Sequence, residues 1–339
     1  MIIILKPDVT EEQKELIVSK LKGYGFSIHL SEGVERTLVG AIGDERKLRD
    51  KALSSWGGVE RVVPIVKPYK IISKDFKNEN STIDIKGIKI GGNFVGVMAG
   101  PCSVESREML FEIAEHVHKV GARILRGGAF KPRTSPYAFQ GLGEDGLKYL
   151  REAADHFGML VVTELMDPRD IELVSKYTDI IQLGARNMQN FRLLKEVGKN
   201  KMPVLLKRGL CATIKEFLMA AEYIASEGSY DIILCERGIR SFDTETRNVL
   251  DLSSIPIIKN NTYLPIIVDP SHGTGRRDCI LPMSQAAIAA GADGLMVEVH
   301  TNPADAVSDG DQSIIPEDFN ILMERIKMIS GVLGKSINE

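Results

Sequence analysis

Cysteine is scarce in this chain: Cys102, Cys211, Cys235 and Cys279 are the only four in 339 residues, too few and too scattered for a disulfide framework. No block of basic residues stands out, and 43 Lys plus Arg against 46 Asp plus Glu leave a formal net charge of -3, which argues against a non-specific nucleic-acid footprint. The longest apolar runs, such as Ile2 to Leu5 and Leu264 to Val268, fall far short of a membrane span. Met1 leads straight into Ile2-Ile3-Ile4 with neither a basic n-region nor a cleavage site, so nothing directs export. The Asn-x-Thr triplets at Asn80 and Asn260 then need no glycan. A soluble cytoplasmic protein is expected, with no nucleic-acid or membrane partner. What is present is ample apolar material, 43% hydrophobic against 26% charged, in a length that allows one large domain or a large one with a small one.

The first 66 residues read differently from the rest. A strand at Ile2 to Leu5 is followed by Thr10-Glu11-Glu12-Gln13, a capping box that starts a helix to about Lys22. Strand-like segments follow near Ser27 to Ser31 and Val34 to Ile42, then a second helix from about Asp44 to Ser54 and a last strand at Val59 to Pro64. That order, βαββαβ, is ferredoxin-like. Residues 67–82 carry Pro68, several lysines and polar residues with little periodicity, and read as a linker. A hairpin around Gly87 precedes the third segment, 83–339, where apolar runs start at Phe94, Ala122, Met159, Asp179, Pro203, Asp231, Leu264 and Gly294. Helical stripes lie between them, for example Met109, Leu110, Ile113 and Val117. Eight βα units predict an α/β fold, a (β/α)8 TIM barrel behind a small ferredoxin-like domain, with the hairpin closing the barrel bottom. The final helix is expected over Pro316 to Leu333.

In such a barrel the active site lies where the strands end. Six basic side chains leave predicted strand ends: Arg126, Lys131, Arg133, Arg186, Lys207 and Arg237. One such cation would simply pair with a carboxylate. Six on one rim of an acidic protein point to a multiply anionic substrate, most simply a phosphate ester with a carboxylate. Cys102, His272 and Glu298 share that rim, with Asp309 as a fourth, and a thiolate, an imidazole and two carboxylates suit one divalent ion such as Mn, Zn, Fe or Co. Their spacing is non-local, so spacing alone does not bring them together. Cys211, Cys235 and Cys279 read as small buried hydrophobes. His300, two residues past Glu298, ranks below His272 as a rim polar residue. Gly141-x-Gly143-x-x-Gly146 lacks the strand that a dinucleotide fingerprint follows, and the turn after His272 lacks the Gly-Lys-Ser/Thr of a P-loop. His116 and His118 point to different helix faces and make no ligand pair.

The loops carry AGPCSVES from Ala99, RGGAFKPRTSPYAFQGLG from Arg126, QLGARNMQN from Gln182, LLKRG from Leu205, DPSHGTGRR from Asp269 and VEVH…SDGDQS from Val297. In these the chain resembles the 3-deoxy-D-arabino-heptulosonate 7-phosphate (DAHP) synthases of the smaller bacterial type, the first-step enzymes of the shikimate pathway. Its N-terminal segment resembles, by topology, the regulatory module some of them carry. The resemblance implies condensation of phosphoenolpyruvate (PEP) with D-erythrose 4-phosphate and release of phosphate. It implies a metal on Cys102, His272, Glu298 and Asp309, with Cys102 and His272 thereby catalytic, and Lys131 as proton donor. Arg126, Arg186, Lys207 and Arg237 become the PEP clamp, Lys131 lies beside PEP, and Arg133 with Thr134 anchors erythrose 4-phosphate. It further points to a homotetramer and to feedback by tyrosine or phenylalanine, with Ser27, His29, Ser31 and Thr37 as candidate contacts. The alternative is the sister enzyme that takes arabinose 5-phosphate and makes 3-deoxy-D-manno-octulosonate 8-phosphate. Its loop usually reads Lys-Ala-Asn-Arg-Ser where this chain has Lys131-Pro132-Arg133-Thr134-Ser135, and it typically lacks the extra domain. A sensor with a dead barrel would have lost a ligand or a clamp arginine, and none is missing.

Overall fold

A computed structural model describes residues 1–339 apart from 33–36, 49–50, 64–67, 132–134, 136 and 339, and apart from the side chains of 32, 45 and 46. The chain divides into two compact units, Met1–Pro68 and Tyr69–Glu339.

In the first unit, strands β1 (Ile2–Leu5), β2 (Ser27–Glu32), β3 (Thr37–Ile42) and β4 (Val59–Val63) form an antiparallel sheet in the order β2-β3-β1-β4. The capping box opens helix α1 (Glu11–Gly23): Thr10 Oγ1 accepts the Gln13 N–H at 3.2 Å and Gln13 Oε1 accepts that of Thr10 at 3.2 Å. Ile17 and Leu21 of α1 pack with Ile3, Leu5, Val39 and Ala41 as the core of this unit. The expected second helix is not formed. Its place holds two 3-10 turns, Glu45–Leu48 and Leu53–Ser55, on either side of 49–50, which lie outside the described residues. Leu48 and Leu53 are the buried anchors of this stretch, and a spacing of five does not make one face of an α-helix.

The second unit is a closed barrel. After the hairpin of β5 (Thr82–Ile85) and β6 (Ile88–Gly91), eight parallel strands follow: β7 (Phe94–Gly100), β8 (Ile124–Arg126), β9 (Leu160–Glu164), β10 (Ile180–Leu183), β11 (Val204–Lys207), β12 (Ile232–Glu236), β13 (Ile266–Val268) and β14 (Gly294–Glu298). Strand β14 pairs with β7 from Gly294↔Gly96 to Glu298↔Gly100 and closes the ring. The connecting helices are α2 (Arg107–Lys119), α3 (Glu144–Phe157), α4 (Ile171–Ser175), α5 (Phe191–Asn200), α6 (Ile214–Ser226), α7 (Ser254–Asn261), the short α8 (Pro270–Thr274) with α9 (Arg277–Ala289), and α10 (Pro316–Val332). No helix among the described residues is long and apolar enough to cross a membrane.

Every barrel strand expected from the apolar runs is present, shifted by no more than a residue or two at its start. Met98, Ile124, Leu160, Val162, Ile180, Leu205, Ile233, Cys235, Ile267 and Met296 form one apolar cluster, and Ile83, Ile85 and Ile90 of the hairpin join it. The linker expected over 67–82 needs correction. From Tyr69 onward the stretch is fixed to the barrel: Tyr69 and Ile72 are buried in its core. The N–H groups of Lys70, Ile71 and Ile72 donate to the Glu222 carboxylate at 2.8, 3.0 and 3.1 Å, and Ser81 N–H donates to the Tyr263 carbonyl at 2.8 Å. Such side-chain-to-backbone anchoring has no periodicity to announce it. The cysteine expectation holds for Cys235 alone of the three, because Cys211 is exposed in the turn before α6 and Cys279 half-buried in the first turn of α9.

Ile90 is fully buried against the barrel interior, so Ile90→Ala should destabilise the barrel by about 2–5 kcal/mol. The measurement is the midpoint of the barrel transition in urea, and an unchanged midpoint would mean that the hairpin is not part of the cooperative unit.

Candidate active site

The site is built where β7, β8, β13 and β14 end. Gly100 closes β7 at φ 150°, and a Cβ there would stand 2.2 Å from the Arg126 carbonyl oxygen. Only glycine lets the first loop run this close to β8. That loop turns Cys102 inward, where its buried thiol lies 3.1 Å from Ser308 Oγ and donates to Asp309 Oδ2 at 3.3 Å. Lys131 reaches the same point and donates to the Cys102 carbonyl at 3.0 Å and to its Sγ at 3.1 Å. Gly128 leaves room for this, since a Cβ there would meet Lys131 Cδ at 2.8 Å.

On the last strand, Glu298 is fully buried. Its Oε1 accepts from Arg126 Nη1 at 2.9 Å, its Oε2 accepts from Gln312 Nε2 at 2.6 Å, and its N–H donates to Ser271 Oγ at 3.0 Å. Asp269 caps α8 by accepting the His272 N–H at 2.9 Å. This puts the His272 ring between two acids: Nδ1 is 2.8 Å from Asp269 Oδ2, and Nε2 is 3.4 Å from Glu298 Oε1. The Nδ1 contact is short but poorly aligned for a hydrogen bond.

Ligand atoms of Cys102, Glu298 and Asp309 lie within 4.8 Å of one another. His272 stands beside this group through Glu298 rather than inside it. A thiol and two carboxylates converging in a buried spot, with an imidazole nitrogen facing one of them, fit a borderline divalent ion. Burial pushes the Cys102 thiol up to about 12, with Glu298 adding to the effect and Lys131 and Arg126 opposing it. Burial also works against the charge on Glu298, yet His272, Arg126 and Lys131 facing it hold it below its ordinary range. Burial lowers His272, which favours the neutral ring that a metal ligand needs.

The cations of the rim divide into two groups. Arg126 is spent on Glu298 and on the Pro101 carbonyl at 2.7 Å, and Lys207 on Asp269 Oδ2 at 2.6 Å. For these two, simple pairing with a carboxylate accounts for the charge. Arg237 is different. It is buried, has no carboxylate within 4 Å among the described residues, and touches only the Gly238 carbonyl at 3.5 Å. Burial pulls its guanidinium below the ordinary value, so an anion that met it would restore lost solvation. Arg186 is exposed on the turn after β10, while Arg133 and Thr134 lie outside the described residues.

Sequence reading left four contributors to this geometry without a role. Asp269 and Ser308 sit inside motifs already noted, and Gln312 follows three residues after Asp309, so proximity to the motifs was the available signal. Arg247 had none: it lies in the long loop after β12 and reaches Gln312 Oε1 at 2.8 Å and Asp309 Oδ1 at 3.5 Å. His300 is buried rather than a rim residue; its Nδ1 accepts the Asn302 N–H at 3.0 Å and its Nε2 is 3.6 Å from Glu105 Oε1. Gly141 and Gly143 have φ of 97° and 61°, and Gly143 N–H donates to the Ala129 carbonyl at 2.9 Å, so this glycine run shapes the turn into α3.

Residues 73–330 match the DAHP synthetase I family, and residues 1–67 match the DAHP synthase ferredoxin-like domain. The chain belongs to the DAHP synthetase I family. A phospho-2-dehydro-3-deoxyheptonate aldolase of Thermotoga maritima is 53% identical over 338 residues, covering 100% of both chains. A 2-dehydro-3-deoxyphosphooctonate aldolase of Geobacter sulfurreducens is 29% identical over 270 residues, covering 74% of this chain and 98% of its own. The crystal structure of the Thermotoga maritima DAHP synthase has a TM-score of 0.95 at 52% identity and covers 99% of each chain. A truncated form of the Thermotoga enzyme gives 0.75 at 51% identity, over 80% of this chain and 99% of its own. Within the DAHP synthetase I family, then, the likeness to the heptonate relative spans both units, whereas the octonate relative covers about three quarters of the chain.

With its thiol pushed up to about 12, Cys102 in metal-free protein stays protonated at pH 8, and exposed Cys211 should be alkylated first. Peptide mass mapping after brief iodoacetamide treatment gives the order. Rapid labelling of Cys102 at pH 8 would contradict the buried, neutral thiol.

Proposed function

We propose that this enzyme condenses PEP with D-erythrose 4-phosphate to give DAHP and inorganic phosphate, the first step of the shikimate pathway. The observation that carries the reading is its full-length likeness to the heptonate aldolase of Thermotoga maritima, 53% identical over 338 residues. Arg237, buried with no carboxylate within 4 Å among the described residues, and the thiol–carboxylate cluster of Cys102, Glu298 and Asp309 support it from the side of chemistry. In the reaction C3 of PEP forms a bond to the aldehyde carbon, the aldehyde oxygen takes up a proton, water adds at C2, and the phosphate leaves.

A divalent ion on Cys102, His272, Glu298 and Asp309 supplies polarisation and orientation of the aldehyde carbonyl when bound. Lys131 donates the proton to the oxygen as it becomes an alkoxide; an ammonium already within 3.1 Å of the Cys102 sulfur is in reach of whatever that cluster holds. Arg237 and Arg186 take the anionic groups of PEP directly, and Arg126 and Lys207 complete the clamp while holding Glu298 and Asp269 charged. Arg133 and Thr134 anchor the phosphate of erythrose 4-phosphate, a role that rests on their motif alone.

The first unit serves as a feedback sensor for tyrosine or phenylalanine. Ser27, His29 and Ser31 alternate along β2 and share one face of the sheet, opposite Ile42, Gly40 and Leu38. Thr37 pairs with Glu32 and so belongs to the other face, with Val39. Ser27, His29, Ser31 and Thr37 are the candidate effector contacts, the first three sharing one face of the sheet and Thr37 standing on the other.

Phosphate release should be seen from PEP with erythrose 4-phosphate, be lost in EDTA, and return with a divalent ion. Turnover with arabinose 5-phosphate instead would favour the octulosonate reading. Arg237→Ala should raise KM for PEP tenfold or more, about 1.4 kcal/mol or above, and an unchanged KM would remove it from the clamp. Deleting residues 1–68 should leave turnover intact and abolish inhibition by the aromatic amino acid; equal inhibition of the truncated enzyme would place the sensor in the barrel.

A further inference from the structure

We infer that Asp269 is a positioning residue that couples PEP binding to metal binding, because Lys207 and His272 face the same carboxylate oxygen. Lys207 Nζ donates to Asp269 Oδ2 at 2.6 Å, and His272 Nδ1 stands 2.8 Å from the same oxygen, poorly aligned with it. The other oxygen is occupied, since Oδ1 accepts the His272 N–H and caps α8. Asp269 is fully buried, and Lys207 nearly so.

A metal-ligating imidazole is held in orientation when its second nitrogen donates to a carboxylate or carbonyl. Here the ring has that partner at the right distance but with the stronger, charge-assisted bond already made by Lys207. An anionic substrate group that draws Lys207 toward itself releases Oδ2. The oxygen then accepts a hydrogen bond from the Nδ1–H of His272, which holds the proton on Nδ1 and leaves the Nε2 lone pair on the side of Glu298. The two sites thereby become reciprocal: whatever factor PEP adds to metal affinity, the metal adds to PEP affinity. This rests on the proposed function, namely that Lys207 belongs to the PEP clamp and His272 to the metal site.

The test uses full-length protein stripped of metal, with no aldehyde present so that nothing turns over. Zinc affinity is measured by competition with a chromophoric chelator, with and without PEP, and PEP affinity by calorimetry, with and without zinc. In the wild type each ligand should tighten the other by the same factor, about fivefold or more. Asp269→Asn keeps an oxygen for the helix cap and removes the shared carboxylate oxygen, so both ligands should still bind while the factor falls to about one. Lys207→Gln removes the charged donor from Asp269 and should bind zinc without PEP as tightly as the wild type does with it. Two ligands that bind the wild type independently, or an Asp269→Asn protein that keeps the full factor, would overturn the coupling and leave the substrate reading standing. Failure of the wild type to bind PEP at all would overturn both.

Discussion

Where the ring closes, β14 runs beside β7 with Glu298 opposite Gly100. This one register brings the last carboxylate of the barrel beside the loop that carries Cys102, although the two lie near opposite ends of the second unit. The loop after β14 then returns Ser308 and Asp309 to the same thiol. A slip of one residue would turn Glu298 to the outer face and take it out of the cluster with Cys102 and Asp309. The apolar interior, with Ile83, Ile85 and Ile90 among its members, is what holds that register.

Around this point the charges are arranged so that few are left exposed to a dry environment without compensation. Arg126 with Glu298, Lys207 with Asp269, and Arg208 with Glu236 and Asp251 form buried pairs along neighbouring strand ends. Removing one partner of such a pair costs far more than the pair contributes, so the pairs fix geometry more than they add stability. Among the described residues Arg237 and Lys131 are buried without a carboxylate within 4 Å.

The first unit follows the same physics at smaller scale. Its sheet has one face covered by α1 and another bearing Ser27, His29 and Ser31. Such a division is set by the two-residue period of the strand, which also separates Thr37 from the other three.

How much of this was legible beforehand depends on whether a feature is local. The capping box at Thr10, the apolar runs of the eight strands and the loop motifs are short-range patterns, and each appears in the structure where its residues predicted it. The ferredoxin-like helix between Asp44 and Ser54 failed because Leu48 and Leu53 are not a helical pair, a local fact that the expected βαββαβ order overrode. The attachment of Tyr69 to Thr82 was not legible, since it depends on Glu222 and Tyr263, far along the chain. At the site, residue types and strand ends named the candidate metal ligands and the cations. Which cations are already neutralised, that Gln312 and Arg247 brace the acids, and that Lys207 and His272 meet one oxygen are matters of distance. The sequence by itself determined the elements and the chemistry on offer, because both are carried by neighbouring residues; only the closed barrel decided which of those groups touch, because contact between residues remote in sequence exists only once the ring is shut.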